Sequence, residues 1–119
     1  MTTQLLVVDD DYANRKLPSL ILLEIGFPIH ECATGAEALE LIEKFPITHI
    51  LLDISLPNIS GISICKVIKS NSKFAHIKIH AYTAHAMREQ TQEILTAGFD
   101  SLLIKPIRKQ DLISLFKKD

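Results

Sequence analysis

"HILLDISLPNISG", residues 49–61, is the stretch on which the fold reading turns. His49 to Leu52 is apolar enough to lie inside a sheet, and a short unbroken apolar run marks a strand covered on both faces. The charge of Asp53 ends that run. Pro57 and Gly61 then turn the chain away. A carboxylate at the carboxyl end of a buried strand needs a reason, and the other strand ends supply it.

Leu5 to Val8 is a second apolar run, and it ends in Asp9, Asp10 and Asp11. Residues 12–25 follow with a helical stripe at Leu17, Leu20, Ile21 and Ile25, closed by Gly26. Pro18 falls inside that window, which predicts a kink or a late helix start. Ile29 to Ala33 reads as a half-polar strand. Thr34 with Glu37 fits a capping box, opening a helix with Ala38, Leu39, Ile42 and Phe45 on one face and Pro46 as its stop. Ser60-Gly61 opens a third helix, with Ile64, Cys65 and Ile68 inward. Ile77 to Tyr82 is the fourth strand, and residues 86–96 form a polar fourth helix ended by Gly98. Ser101 to Ile104 is the fifth strand. Leu112, Leu115 and Phe116 mark a last helix after Pro106.

Regular alternation of strand and helix predicts an α/β domain spanning 1–119, a parallel sheet with helices on both faces in three layers. The 119 residues leave no room for a second domain. The formal net charge of −1 argues against a bulk nucleic-acid binder. No run approaches the ~20 apolar residues that cross a bilayer, and no secretory signal is visible, so a cytoplasmic protein is expected. Cys32 and Cys65 lack metal spacing and read as small buried hydrophobes in a reducing compartment. His30, His49, His76, His80 and His85 are scattered, not spaced for zinc.

Ligands of open α/β sheets bind outside the carboxyl ends of the strands. Strand one delivers Asp9, Asp10 and Asp11 to that rim, strand three Asp53, strand four Thr83, and strand five Lys105. Asp11 taken alone is a helix cap. The other acids repel one another, by about 4 kcal/mol for a pair at ~4 Å and an effective dielectric of ~20. One of them must then be protonated or a cation supplied, and an oxygen-only donor set favours a hard ion such as Mg²⁺. Such a rim suits phosphoryl chemistry, with a carboxylate able to attack.

The segments "VVDDD" (7–11), "LLDISLPNISG" (51–61), "YTAHA" (82–86) and "AGFDSLLIKP" (97–106) resemble those of the receiver domain of two-component response regulators, over essentially the whole chain. The resemblance implies a flavodoxin-like, doubly wound sheet of five strands with five helices. It also implies the order 2-1-3-4-5, the one known for the family's chemotaxis regulator. It casts Asp53 as the aspartate phosphorylated by a partner phosphohistidine, in a sensor histidine kinase or a histidine phosphotransfer protein. Asp10 would meet Mg²⁺ directly, Asp9 through water, and Ser55 through its backbone carbonyl. Thr83 would bond the phosphoryl oxygens. Lys105 would pair with Asp53 when the site is empty and with the phosphoryl group when it is full. The peptide before Pro106 is commonly cis in the family. Phosphorylation would switch the surface offered to a downstream protein target, through the loop after strand four and the face of helix four, strand five and helix five. A monomer or weak dimer is expected, with no direct nucleic-acid or membrane contact.

Two positions depart from the family pattern. Leu102 stands where an aromatic switch residue is usual, and Ser60 where many members carry Asp. His85 is a candidate to lie near the phosphoryl group and tune its hydrolysis. Two other functions stay open. One is a small Mg²⁺ phosphohydrolase with Asp53 as nucleophile, although Ser55 stands where its general acid belongs. The other is an interaction module independent of phosphorylation. With no output domain after Asp119, a complete chain would act by docking, and a fragment would be the receiver part of a larger regulator or hybrid kinase.

Overall fold

A computed structural model of the chain describes residues 3–56, 59–84 and 88–116, with 88–90 as backbone only. Five strands and five helices alternate: β1 (Leu5–Val8), α1 (Tyr12–Ile25), β2 (Ile29–Cys32), α2 (Gly35–Lys44), β3 (His49–Asp53), α3 (Gly61–Ser70), β4 (Lys78–Thr83), α4 (Arg88–Ala97), β5 (Ser101–Ile104) and α5 (Lys109–Phe116). All strand pairs are parallel, in the order β2-β1-β3-β4-β5. The expected doubly wound topology is therefore the one observed.

Period-two alternation in the strands divides the core between the faces of the sheet. Leu6, Val8, Ile50, Leu52, Ile79 and Ala81 point into the larger layer, where Ala38, Ile42, Ile64, Cys65, Ile68 and Ile94 from α2, α3 and α4 cover them. Leu5, Val7, Leu51 and Tyr82 point to the other face, beneath Leu22 of α1 and Leu112 of α5. Burial of these two layers, worth ~25 cal/mol per Å² of apolar surface, stabilises the sheet that carries the rim.

Helix ends follow the local chemistry. Asp11 caps α1 by accepting the Asn14 amide at 2.9 Å, and Gly26 closes it at φ 112°. Thr34 caps α2 through the Glu37 amide at 3.1 Å. The return bond of the expected capping box falls on the Ala33 amide and the Thr34 hydroxyl. Ser60 caps α3 through the Ser63 amide.

Four expectations change. α1 runs unbroken from Tyr12 through Pro18, so of the kink or late start expected there the late start is excluded. Its buried face is Pro18, Ser19 and Leu22, while Leu17 and Leu20 are 45% and 62% exposed. Ser19 is hidden because its hydroxyl donates to the Arg15 carbonyl at 2.8 Å, which lets a polar residue face the sheet. Phe45 is not part of the inward face of α2 but its C-cap, where its ring stacks on His30 at 4.3 Å. Strand limits shift by a residue, with β2 ending at Cys32 and β4 running Lys78–Thr83.

Candidate functional site

The parallel register sets the end of each strand on one rim. Asp53 lies opposite Tyr82, and Thr83 opposite Ile104, which immediately precedes Lys105. Asp9 extends β1, its amide bonded to the Cys32 carbonyl at 3.2 Å. Carboxylate oxygens of Asp9, Asp10 and Asp53 all lie within 4.8 Å of one another. Asp9 and Asp53 are buried and Asp10 is exposed.

Lys105 crosses this cluster. Its Nζ lies 3.1 Å from Asp9 Oδ2 and 3.2 Å from Asp53 Oδ2. The expected Lys105–Asp53 pair is present, and Asp9 shares it. The Lys105 amide donates to the Thr83 carbonyl at 2.8 Å, and the Lys105–Pro106 peptide is cis, as the resemblance implied. The Ser55 amide donates to Asp53 Oδ1 at 2.9 Å, which sets the Ser55 backbone beside the cluster. Thr83 is buried at the end of β4. His85 and Pro57 lie outside the described residues.

Burial pushes the Asp53 carboxyl above the usual carboxylate range. The Ser55 amide and Lys105 pull it down, Asp9 pushes it up again, and the net direction is upward. Three carboxylates against one ammonium leave an excess of negative charge. Their donor set is oxygen alone, which fits a hard divalent cation such as Mg²⁺. Asp11 stands apart from the cluster as a cap, and its amide donates to Asp9 Oδ1 at 2.9 Å.

Gly61 belongs to this site through its backbone. A Cβ there would collide with the Asp53 carbonyl oxygen and lie 2.7 Å from the Ile54 Cα. Only glycine lets the start of α3 close on the strand end that carries Asp53, so the glycine of the opening stretch serves its aspartate.

Sequence reasoning missed two neighbours. The Tyr82 hydroxyl donates to Asp9 Oδ2 at 2.6 Å, and Arg15 Nη1 donates to the Asp9 carbonyl at 2.8 Å. Strand alternation would have found Tyr82, since it and Asp53 are on one face of adjacent strands. For Arg15 no signal was available, because its contact crosses from helix to strand end.

The model of the response regulator receiver domain family matches residues 5–117. The chain belongs to that family. It is 32% identical to the polar-differentiation response regulator DivK of Brucella ovis over 117 residues, covering 98% of this chain and 95% of that one. It is 34% identical over 110 residues to the histidine-protein kinase BarA of Escherichia coli K12, covering 92% of this chain but only 12% of that kinase's length. Among solved structures, the receiver domain of a Pseudomonas aeruginosa sensor histidine kinase superposes with a TM-score of 0.87 at 26% identity, over 97% of this chain and 94% of that one; that structure holds a magnesium ion in its active-site cleft. This receiver is thus a signalling phospho-acceptor of the phosphorelay type, and its acid cluster fits a Mg²⁺ site. Among the described residues no helix is long and apolar enough to cross a membrane.

Proposed function

We propose that Asp53 is the phosphoryl acceptor of this receiver, with a histidine kinase or histidine phosphotransfer protein as donor. The observation that carries the reading is the Lys105 ammonium bridging Asp9 and Asp53 inside a cluster of three acids. Such an arrangement holds the acceptor carboxylate still and offers a cation that can follow the incoming charge.

In the transfer, an Asp53 oxygen forms the O–P bond as the P–N bond to the donor imidazole breaks, and the imidazole nitrogen keeps the bonding pair. The Ser55 amide fixes Asp53 Oδ1, so Oδ2 is the oxygen with a mobile partner. Lys105 passes from the carboxylates to the phosphoryl oxygens, and the Thr83 hydroxyl donates to them. Asp10, Asp53 and the Ser55 carbonyl would hold Mg²⁺, with Asp9 acting through water, and the ion would supply positive charge against the transferring group. Hydrolysis of the acyl phosphate by water at the same site resets the protein.

The output is docking of a downstream protein on the face of α4, β5 and α5, where Leu95 and Ile104 are exposed at 60% and 47%. Leu102 is half-buried against the larger core. The switch is therefore an aliphatic repacking of β5 and α4, not the swing of an aromatic ring. The protein works as a monomer or weak dimer in the cytoplasm, and its buried free thiols suit that reducing compartment. Incubation with a small phosphodonor and Mg²⁺ should add one phosphoryl mass to the intact protein. Asp53→Asn should abolish the gain, and an unchanged mass with several donors overturns the reading.

A further inference from the structure

Tyr82 is tied to the acid cluster at both ends of its side chain. It is 1% exposed, and its hydroxyl donates to Asp9 Oδ2 at 2.6 Å. The Lys105 ammonium sits over its ring, 4.6 Å from the centroid. Behind it is a cavity of about 40 Å³, lined in part by Leu17, Pro18 and Ile107. The hydrogen bond to Asp9 fixes where the phenol end lies.

That bond uses up acceptor capacity. An ionised carboxylate offers roughly four acceptor positions. On Asp9, Oδ1 receives the Asp11 amide, and Oδ2 receives both Tyr82 and Lys105. A divalent cation recruiting Asp9 competes with these donors for the same negative charge. The Asp11 amide is fixed by the backbone, and Lys105 is free to leave for a phosphoryl group. Tyr82 is the donor that is both buried and, among the described residues, bonded to no acceptor but Asp9.

We infer that Tyr82 is a positioning residue that holds Asp9 in a single orientation and weakens the cluster's grip on Mg²⁺, keeping the ion exchangeable. The inference rests on the reading that Asp9, Asp10 and Asp53 take Mg²⁺. Its ring has a separate task, as a floor that keeps Lys105 between the two buried acids.

Tyr82→Phe keeps the ring and removes only the hydroxyl. Calorimetric titration of this variant with Mg²⁺ should show binding tighter by about tenfold, the order expected for losing a hydrogen bond to a charged acceptor. A second readout uses the composition, which has no Trp and two Tyr. In Tyr12→Phe the only phenol emission is from Tyr82. It should rise with Mg²⁺, because a carboxylate accepting the phenol proton quenches that emission and the ion draws the carboxylate's charge away. Equal or weaker Mg²⁺ binding by Tyr82→Phe, with the unaltered protein binding the ion, overturns this inference and leaves the metal site standing. So does a flat Tyr82 emission through a calorimetrically complete titration. If the unaltered protein takes up no Mg²⁺, the inference and the metal site fall together.

Discussion

Single side chains at the rim divide into those that hold charge apart and those that shape the backbone. Asp53 is the clearest of the first kind. Its carboxyl is raised by burial, so the folded chain binds its proton more tightly than the unfolded chain does. The associated stability is present below the unfolded value and is lost as pH rises through the folded one. At neutral pH without Mg²⁺, Asp53→Asn should therefore raise the melting temperature, and added Mg²⁺ should narrow the difference. His80 has the opposite sign. It is buried on β4, with Ser101 bonded to Nδ1 at 2.7 Å, His49 stacked at 5.8 Å and Phe116 edge-on at 5.3 Å. Burial, aided by His49, lowers its pKa from 6.5 to about 4. Its contribution is complete above pH 6.5 and fades as pH falls towards 4, on the order of 3 kcal/mol in all. In denaturant titrations, His80→Phe should flatten the acid limb over that window and leave Mg²⁺ binding unchanged. Asp11 tests the separation of cap from ligand. Asp11→Ala should cost about 1 kcal/mol of stability with no change in Mg²⁺ affinity, because the Asp9 contact comes from its amide.

Among the elements, α3 and β3 meet most closely. Gly61→Ala places a Cβ against the backbone of Asp53 and Ile54. It should cost about 2 kcal/mol in urea unfolding and weaken Mg²⁺ binding by moving the Asp53 strand end. Elements were legible in the sequence where one signal dominated. The apolar runs of β1 and β3, the Thr34 cap and the Gly26 stop all gave their elements directly. α1 was misread because Leu17, Leu20, Ile21, Leu22, Leu23 and Ile25 surround the helix. Periodicity then offers two stripes; the one that faces the sheet holds Pro18, Ser19 and Leu22, and Ile21 of the expected stripe packs half-buried beside it. Phe45 was misplaced for a related reason. An aromatic at a helix end can pack sideways, and His30 on β2 provides the partner.

At the scale of the molecule, a carboxylate at one strand end means little until the parallel register collects the others beside it. The sequence revealed the members of the cluster, because each directly follows an apolar run. It did not reveal how they are wired. Lys105 serves Asp9 as well as Asp53, and Tyr82 joins from β4, contacts that depend on side-chain reach across as many as four strands. The sheet order places β3 at the centre, between β1 with its acids and β4 with Thr83, so Asp53 is the carboxylate that the others surround. An acyl phosphate formed there can be trapped with borohydride, which reduces the phosphorylated aspartate to homoserine. Peptide mapping after Mg²⁺-dependent phosphorylation should find homoserine at position 53 alone. Homoserine at position 9 or 10, or none at all from protein that has gained a phosphoryl mass, would contradict the assignment.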